Sequence, residues 1–130
     1  MPAAPAAGPA GDPAPSSRRV PWARRQRVRV EDESMRPTLE PGDRLMVDTG
    51  AYRDRAPRVG EIVVVVDPDA AARWLVKRVH AVDPESGSVD VRGDAAEVAR
   101  DSRRFGPVAP PAIVGRVYRL YFPPARRRDF

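Results

Sequence analysis

The chain has 130 residues, a length that suits one folded domain with a modest core. It contains no cysteine and one histidine, His80, so the composition excludes disulfides, thiolate metal sites, a cysteine nucleophile and a histidine-rich metal site. Residues 1–30 hold six arginines and one aspartate, and the remaining residues hold 17 basic and 17 acidic side chains. The net charge of +5 therefore belongs to the N-terminal segment.

The N-terminal segment has the composition of a disordered arm. Residues 1–17 are almost all Pro, Ala, Gly and Ser, which cannot bury enough apolar surface to offset the cost of ordering. An arginine-rich stretch, residues 18–29, follows and carries one tryptophan. We predict a disordered Pro/Ala-rich and basic arm over residues 1–22. No nucleic-acid-binding motif accompanies the arm, so no specific nucleic-acid partner is expected, while peripheral contact with a membrane through its arginines stays open.

The sequence also bears on location. No apolar run approaches the ~20 residues that a membrane-spanning helix needs, and the N-terminus lacks the apolar segment of a secretory signal. These features predict a soluble, cytoplasmic protein without a transmembrane anchor.

Beyond the arm, turn signals separate short stretches rich in β-branched and aromatic residues. The first strand is predicted at residues 27–30, and short helical turns are predicted at 70–72 and 95–100. Short strands at this spacing indicate a mainly β fold, a coiled-sheet or barrel-like domain over residues 23–124, with a basic tail at 125–130. The other predicted strands cover residues 44–48, 61–67, 73–82, 88–92 and 113–122.

One lysine, Lys77, stands among 22 arginines. In the predicted strand 73–82, alternation of side chains places it on the same face as Leu75, Val79 and Ala81. Burial on an apolar face lowers the pKa of a lysine and leaves an amine that can accept a proton, which an arginine cannot do. The alternatives are an accidental lysine in an arginine-biased chain, or a lysine at a sheet edge whose amine reaches water.

Upstream of Lys77 lies the run Glu33-Ser34-Met35-Arg36-Pro37-Thr38-Leu39, closed by Gly42-Asp43. This Ser-Met-x-Pro-Thr-Leu pattern resembles the nucleophile segment of type I signal peptidases and their relatives. Four further segments resemble the same family in order and spacing, so that the resemblance covers residues 28–124. They are Arg58-Val59-Gly60-Glu61-Ile62-Val63, Val76-Lys77-Arg78-Val79, Gly93-Asp94 with Asp101-Ser102-Arg103, and Ile113-Val114-Gly115-Arg116-Val117.

The resemblance implies a signal-peptidase-like β domain and a serine endopeptidase with a Ser/Lys dyad. Ser34 would be the nucleophile, with its backbone N–H as an oxyanion donor, and Lys77 would be the general base. Met35 and Pro37 would shape the turn and line the substrate cleft. Structural support is expected from an ion pair between Asp101 and Arg103. No metal or organic cofactor is needed for this chemistry.

Three positions depart from the family pattern. Asp32 stands where many signal peptidases have a serine or threonine that adds a second oxyanion donor. An ionised carboxylate there would repel the oxyanion, so it must point away, be protonated or lie outside the hole. Ala99 replaces a serine that orients the lysine in relatives, and Ala95 replaces the usual asparagine. These departures fit a slow or selective protease, and equally an inactive relative.

The resemblance implies that the partner is a protein precursor, from which an N-terminal leader is removed. With no anchor expected, residues 115–124 make the chain most similar to the maturation proteases of nickel-type superoxide dismutase. The alternatives are general signal peptidase-type processing of secretory precursors, a catalytically weak relative that binds peptides, and a self-cleaving repressor. The last would need a cleavage bond in a linker, and Ala7-Gly8 and Ala10-Gly11 lie in low-complexity sequence without DNA-binding helices before them.

Overall fold

An antiparallel sheet of seven strands dominates residues 20–130, the part of the chain that the computed structural model describes. The mainly β prediction is thus confirmed. The predicted arm falls largely on residues 1–19, which lie outside the described residues; Val20 is buried, and a 3-10 turn covers Trp22–Arg24. The strands are β1 Arg25–Arg29, β2 Arg44–Asp48, β3 Ile62–Asp67, β4 Ala70–Val82, β5 Val89–Arg92, β6 Ile113–Phe122 and β7 Arg128–Asp129.

The central strand β3 is buried on both of its faces. The strand order is β1-β2-β6-β3-β4-β5, with β7 paired to β6. Ile62 and Val64 belong to one apolar cluster, and Val63 and Val65 belong to another. A continuous β-branched run of this kind suits a strand that is covered on both sides. The first cluster also contains the residues that anchor the turn bearing Ser34, and the second packs beneath β4.

The structure corrects one of the two predicted helical turns and confirms the other. Residues 70–72, predicted as a helical turn, begin β4, because a tight turn at 67–69 already pairs Ala70 with Asp67. That turn is stabilised by the Asp69 N–H, which donates to Asp67 Oδ1 at 2.9 Å. The predicted turn at 95–100 is confirmed, since the N–H groups of Val98 and Ala99 both donate to the Ala95 carbonyl at 3.1 Å.

Helices are short throughout the described residues. The one α-helix there, α1, spans Ser102–Phe105, and 3-10 turns cover Pro110–Ala112 and Pro124–Arg126 in addition to the one at Trp22–Arg24. Within residues 20–130, no helix combines the length and the apolar character needed to cross a bilayer.

Candidate active site

Lys77 and Ser34, 43 residues apart in the sequence, meet in the interior of the protein. Nζ of Lys77 donates to Oγ of Ser34 at 2.9 Å, and the two residues are 1% and 5% exposed. Burial lowers the pKa of Lys77, against the carboxylates of Asp32 and Asp101, which act to raise it. The pair therefore has the distance and the electrostatic setting that proton transfer between a hydroxyl and an amine requires.

The burial of Lys77 follows from the alternation of β4. Leu75, Lys77 and Val79 all point inward and are buried, as the sequence predicted. Ala81 was predicted on the same face but is exposed, because the pairing of β4 with β5 shifts register between Val79 and Ala81. His80 is exposed. The apolar face that desolvates Lys77 thus consists of its two neighbours on the strand and the cluster below them.

The turn that carries Ser34 is anchored in the core by the residues around it. We call residues 31–43 the Ser34 turn. Met35 and Leu39 are 1% and 0% exposed, and the Leu39 N–H donates to the Met35 carbonyl at 2.9 Å. The structure thus places Met35 in the core rather than on the wall of the cleft. Pro37, which was predicted to line the cleft with it, follows a cis peptide bond and points to solvent.

Gly93 brings a second segment against the backbone of Ser34. A Cβ atom at Gly93 would lie 2.6 Å from the Ser34 carbonyl oxygen and 2.5 Å from Cβ of Ala99. The same carbonyl accepts the N–H of Ala95 at 2.9 Å. The Gly93 N–H donates in turn to Asp101 Oδ2 at 2.8 Å. Gly93 is therefore a point of close contact that fixes Ser34.

Asp101 and Arg103 form the predicted ion pair. Nε and Nη2 of Arg103 donate to the Asp101 carboxylate at 3.0 and 2.5 Å, and the Arg103 N–H donates to it at 3.1 Å. Burial acts to raise the pKa of Asp101, but the hydrogen bonds from Arg103 and Gly93 outweigh it and lower the pKa to about 2. Asp101 also caps the N-terminus of α1. One ionised carboxylate thus joins the Gly93 segment to the helix.

A polar network that the sequence did not reveal ties the Ser34 turn to β4. The hydroxyl of Thr38 donates to Asp94 Oδ2 at 2.7 Å, and Nε and Nη2 of Arg78 donate to the same carboxylate at 2.9 and 2.8 Å. Nη1 of Arg78 donates to the Gly60 carbonyl at 2.8 Å. Arg78 directly follows Lys77, so this network holds the strand position next to the amine.

Ser34 and Lys77 open onto a cavity of about 630 Å³, here called the Ser34 cleft. Three consecutive acidic residues line one part of it and two arginines another. Arg100 is held by the buried Asp67 and, at 3.1 Å, by Asp69. The positions of Arg73 and Arg100 in the lining of the cleft were not predicted from the sequence. The full lining is Glu31, Asp32, Glu33, Ser34, Pro41, Arg73, Leu75, Lys77, Val98 and Arg100.

Asp32 is turned toward Ser34. Its Oδ1 atom accepts the backbone N–H of Ser34 at 2.9 Å. Partial burial acts to raise the pKa of Asp32, but the hydrogen bonds from Ser34 and the charges of Lys77 and Arg73 bring the pKa below its ordinary value. An ionised carboxylate is therefore favoured at neutral pH. Of the arrangements considered from the sequence, a carboxylate that points away from Ser34 is not the one observed.

Within residues 20–130, no group of three or more His, Asp or Glu side chains is arranged to hold a metal ion. The cleft arginines Arg73 and Arg100 pair with Asp67, and Asp32 accepts the Ser34 N–H.

Comparison with known proteins places the sequence in a family. The sequence pattern of the family described as "Signal peptidase, peptidase S26" matches residues 22–89, a range that includes both Ser34 and Lys77. The chain is 34% identical over 105 residues to the mitochondrial ATP-independent inner membrane protease subunit 1b of Arabidopsis thaliana, an alignment that covers 65% of this chain and 62% of the relative. The chain thus spans less than two thirds of that relative's length.

Two further proteins are similar to this chain in sequence. The mitochondrial inner membrane protease subunit 2 of Mus musculus is 28% identical over 119 residues, covering 76% of this chain and 68% of the relative. The probable signal peptidase I-1 of Synechocystis sp. is 34% identical over 68 residues, covering 47% of this chain and 35% of the relative. With more than half of its length matched by the family pattern, the chain belongs to the signal peptidase family, peptidase S26.

Proposed function

We propose that the chain is a serine endopeptidase with Ser34 as nucleophile and Lys77 as general base, which removes an N-terminal leader from a protein precursor. The observation that carries the proposal is the 2.9 Å contact between Lys77 Nζ and Ser34 Oγ in a buried setting that lowers the pKa of the lysine. A serine hydroxyl is a weak nucleophile unless a neighbouring base accepts its proton.

The proposed reaction uses each group in turn. The neutral amine of Lys77 takes the Oγ proton of Ser34 while Oγ attacks the scissile carbonyl carbon. The Ser34 N–H donates to the resulting oxyanion. The ammonium of Lys77 then returns a proton to the leaving amine as the C–N bond breaks, leaving an acyl ester on Ser34. Water, deprotonated by Lys77, hydrolyses that ester and restores the hydroxyl.

The edge of β4 supports an extended peptide as substrate. On one side, β4 pairs with β3 from Ala70 to Arg78. On the other side, β5 pairs only with Arg78–Val82, and no described strand pairs with residues 70–77 there. Leu75 and Lys77 from this segment line the Ser34 cleft. A backbone edge beside the nucleophile can bind an extended chain through main-chain hydrogen bonds, which is what cleavage within a polypeptide requires.

The narrower candidate substrate is the precursor of nickel-type superoxide dismutase. Its support is the resemblance of residues 115–124 to the maturation proteases of that enzyme. The broader candidate is a secretory precursor of the kind that signal peptidases process. Incubating the purified full chain with each precursor, and reading the new N-terminus by mass spectrometry, separates the two. Cleavage that persists in Ser34→Ala would contradict the proposed mechanism for either substrate.

A second function, peptide binding without cleavage, is favoured by the carboxylate of Asp32 on the Ser34 N–H and by Ala99 in place of a serine. Titration of Lys77 by amine labelling, read peptide by peptide, needs no substrate and separates the two functions. A labelling midpoint below the ~10.4 of a free lysine that moves in Ser34→Ala supports the peptidase. A midpoint near the free value, and indifferent to Ser34, would favour the binding module.

A further inference from the structure

The oxyanion donor of the proposed peptidase is already occupied. We propose that Asp32 is a built-in occupant of the oxyanion site: its carboxylate caps the Ser34 N–H in the free protein and must leave that donor before Ser34 can be acylated. This inference rests on the proposed function, because it takes the Ser34 N–H as the oxyanion donor. It adds an autoinhibitory contact that the reaction alone does not require.

The geometry makes the two roles of this N–H mutually exclusive. Asp32 Oδ1 lies 2.9 Å from the Ser34 nitrogen, well within hydrogen-bond range. A developing oxyanion has to lie about 2.7–3.1 Å from the same nitrogen to be stabilised. The N–H has a single hydrogen to donate, and two negative oxygens drawn to it repel each other in a cleft that is partly shielded from water. Acylation of Ser34 therefore begins with movement of Asp32.

The surroundings of Asp32 allow that movement. Asp32 is exposed, so its side chain can rotate without repacking the core. Arg73 lies on the same cleft, with a side chain that is 66% exposed and a long 3.8 Å contact to Asp67. It offers the displaced carboxylate a cation within the cleft. The other charged groups on the cleft are the acids Glu31 and Glu33 and the cations Lys77 and Arg100.

Asp32 opposes acylation in a second way, through Lys77. Its negative charge acts to raise the pKa of the Lys77 amine and so favours the ammonium form, which cannot accept the Ser34 proton. Removing the carboxylate should free the N–H and also lower the pKa of Lys77 further. The labelling midpoint of Lys77 measures this charge effect by itself, and the affinity for an oxyanion analogue measures the occupied donor.

A peptide boronic acid tests the occupied donor directly. With an acetylated tri-alanine boronic acid, Oγ of Ser34 forms a bond to boron, its proton passes to Lys77, and the boron becomes a tetrahedral anion whose oxygen needs the Ser34 N–H. Binding is measured on the full chain as a dissociation constant, with the tetrahedral boron followed by NMR. Ser34→Ala is the negative control.

The variants separate occupancy from charge. Asp32→Ala empties the donor and is expected to bind the boronate roughly 10-fold or more tightly, the equivalent of one charge-assisted hydrogen bond. Asp32→Asn keeps an acceptor oxygen but loses the charge, so it should fall between Asp32→Ala and the wild type. Glu97→Gln is the control, because it removes one negative charge from an exposed side chain that does not line the cleft, and its affinity should change by less than about twofold.

The outcomes distinguish failure of the occupied donor from failure of the proposed peptidase function. If the wild type forms the tetrahedral boronate and Asp32→Ala binds it no more tightly, the occupied donor is refuted while the proposed peptidase stands. If neither the wild type nor any variant forms the adduct at Ser34, the proposed function fails and the inference fails with it. Should Asp32→Ala unfold, Asp32→Asn decides: unchanged boronate affinity and an unchanged Lys77 labelling midpoint would refute the role of Asp32.

Discussion

Gly93 lies directly against the carbonyl oxygen of Ser34, so close that a methyl group at Gly93 would come within 2.6 Å of that oxygen. Real side chains do not approach a backbone oxygen this closely, and one of the two segments would have to move. The orientation of Ser34 toward Lys77 therefore depends on a backbone contact from a third segment. The hydrogen bond between Lys77 and Ser34 alone does not fix this orientation.

Gly93→Ala should displace the Ser34 turn. The overpacking is expected to cost on the order of 1–3 kcal/mol in the free energy of unfolding, and the shift of Ser34 should weaken peptide boronate binding by more than the loss of stability explains. Urea unfolding and boronate titration measure the two effects. In Gly93→Ala with Ala99→Gly, the clash with Ala99 is relieved and the clash with Ser34 remains. Full recovery of boronate binding in that double variant would show that the contact with Ser34 is not limiting.

Neither alanine nor arginine should be able to replace Lys77 in precursor cleavage. Lys77→Ala removes the base, and Lys77→Arg supplies a guanidinium that stays protonated at every working pH. Each is expected to reduce precursor cleavage by roughly 10²–10⁴-fold, the usual contribution of a general base. His80→Ala is the control, because it removes the one histidine of the chain from an exposed position on the same strand. A loss of cleavage in His80→Ala comparable with that in Lys77→Ala would contradict the dyad.

The lowered pKa of Lys77 should make both the proposed cleavage activity and the stability rise with pH. Cleavage should increase as the amine loses its proton, with a midpoint below the ~10.4 of a free lysine. Between the folded pKa and that unfolded value, the unfolded chain binds the extra proton, so the free energy of unfolding also rises with pH across this window. Lys77→Met should flatten that rise, as measured by urea unfolding at several pH values. A pH dependence identical to the wild type would mean that Lys77 is not desolvated.

Asp101 should contribute to the loss of the free energy of unfolding at low pH. Its pKa is about 2 in the folded protein, against ~3.9 for a free aspartate. The stabilisation is therefore complete above about pH 4 and is lost as the pH falls toward about 2. Asp101→Asn should be less stable than the wild type at pH 7, with a difference that shrinks in acid. Asp54→Asn, an exposed aspartate in a surface bend, is the comparison. A deficit of the Asp101 variant that stays constant from pH 7 to pH 2 would contradict the ionised pairing.

Ser34 and Lys77 could be singled out from the sequence because each carries a local signal. Ser34 lies in a recognisable motif, and the alternation of β4 placed Lys77 on a buried face. Contacts that depend on distant segments carry no such signal: Thr38 meets Asp94 across 56 residues, and Arg126 meets Asp43 across 83. The register shift that exposes Ala81 belongs to the pairing of two strands and cannot be read from either strand alone.

Arg126 shows how a residue of the predicted basic tail supports the Ser34 turn. Nε and Nη2 of Arg126 donate to the carboxylate of Asp43 at 3.0 and 2.9 Å, and Asp43 is 2% exposed. The same carboxylate accepts the Glu40 N–H at 2.8 Å, while the Asp43 carbonyl accepts the Val30 N–H at 2.9 Å. The backbone hydrogen bond from Val30 to Asp43 closes the Ser34 turn, and the carboxylate of Asp43 links the last residues of the turn to the tail.

Arg126→Ala should leave this buried carboxylate with fewer partners and lower the free energy of unfolding by about 1–3 kcal/mol. Arg126→Lys offers a compact ammonium in place of the planar fork and should recover only part of the loss. Arg127→Ala, at the exposed neighbouring position, is the matched control and should change stability little. Urea unfolding of the three variants measures the effect. Equal stability of Arg126→Ala and Arg127→Ala would show that the tail does not hold the turn. A larger loss of stability in Arg126→Ala would show that Arg126 stabilises the Ser34 turn.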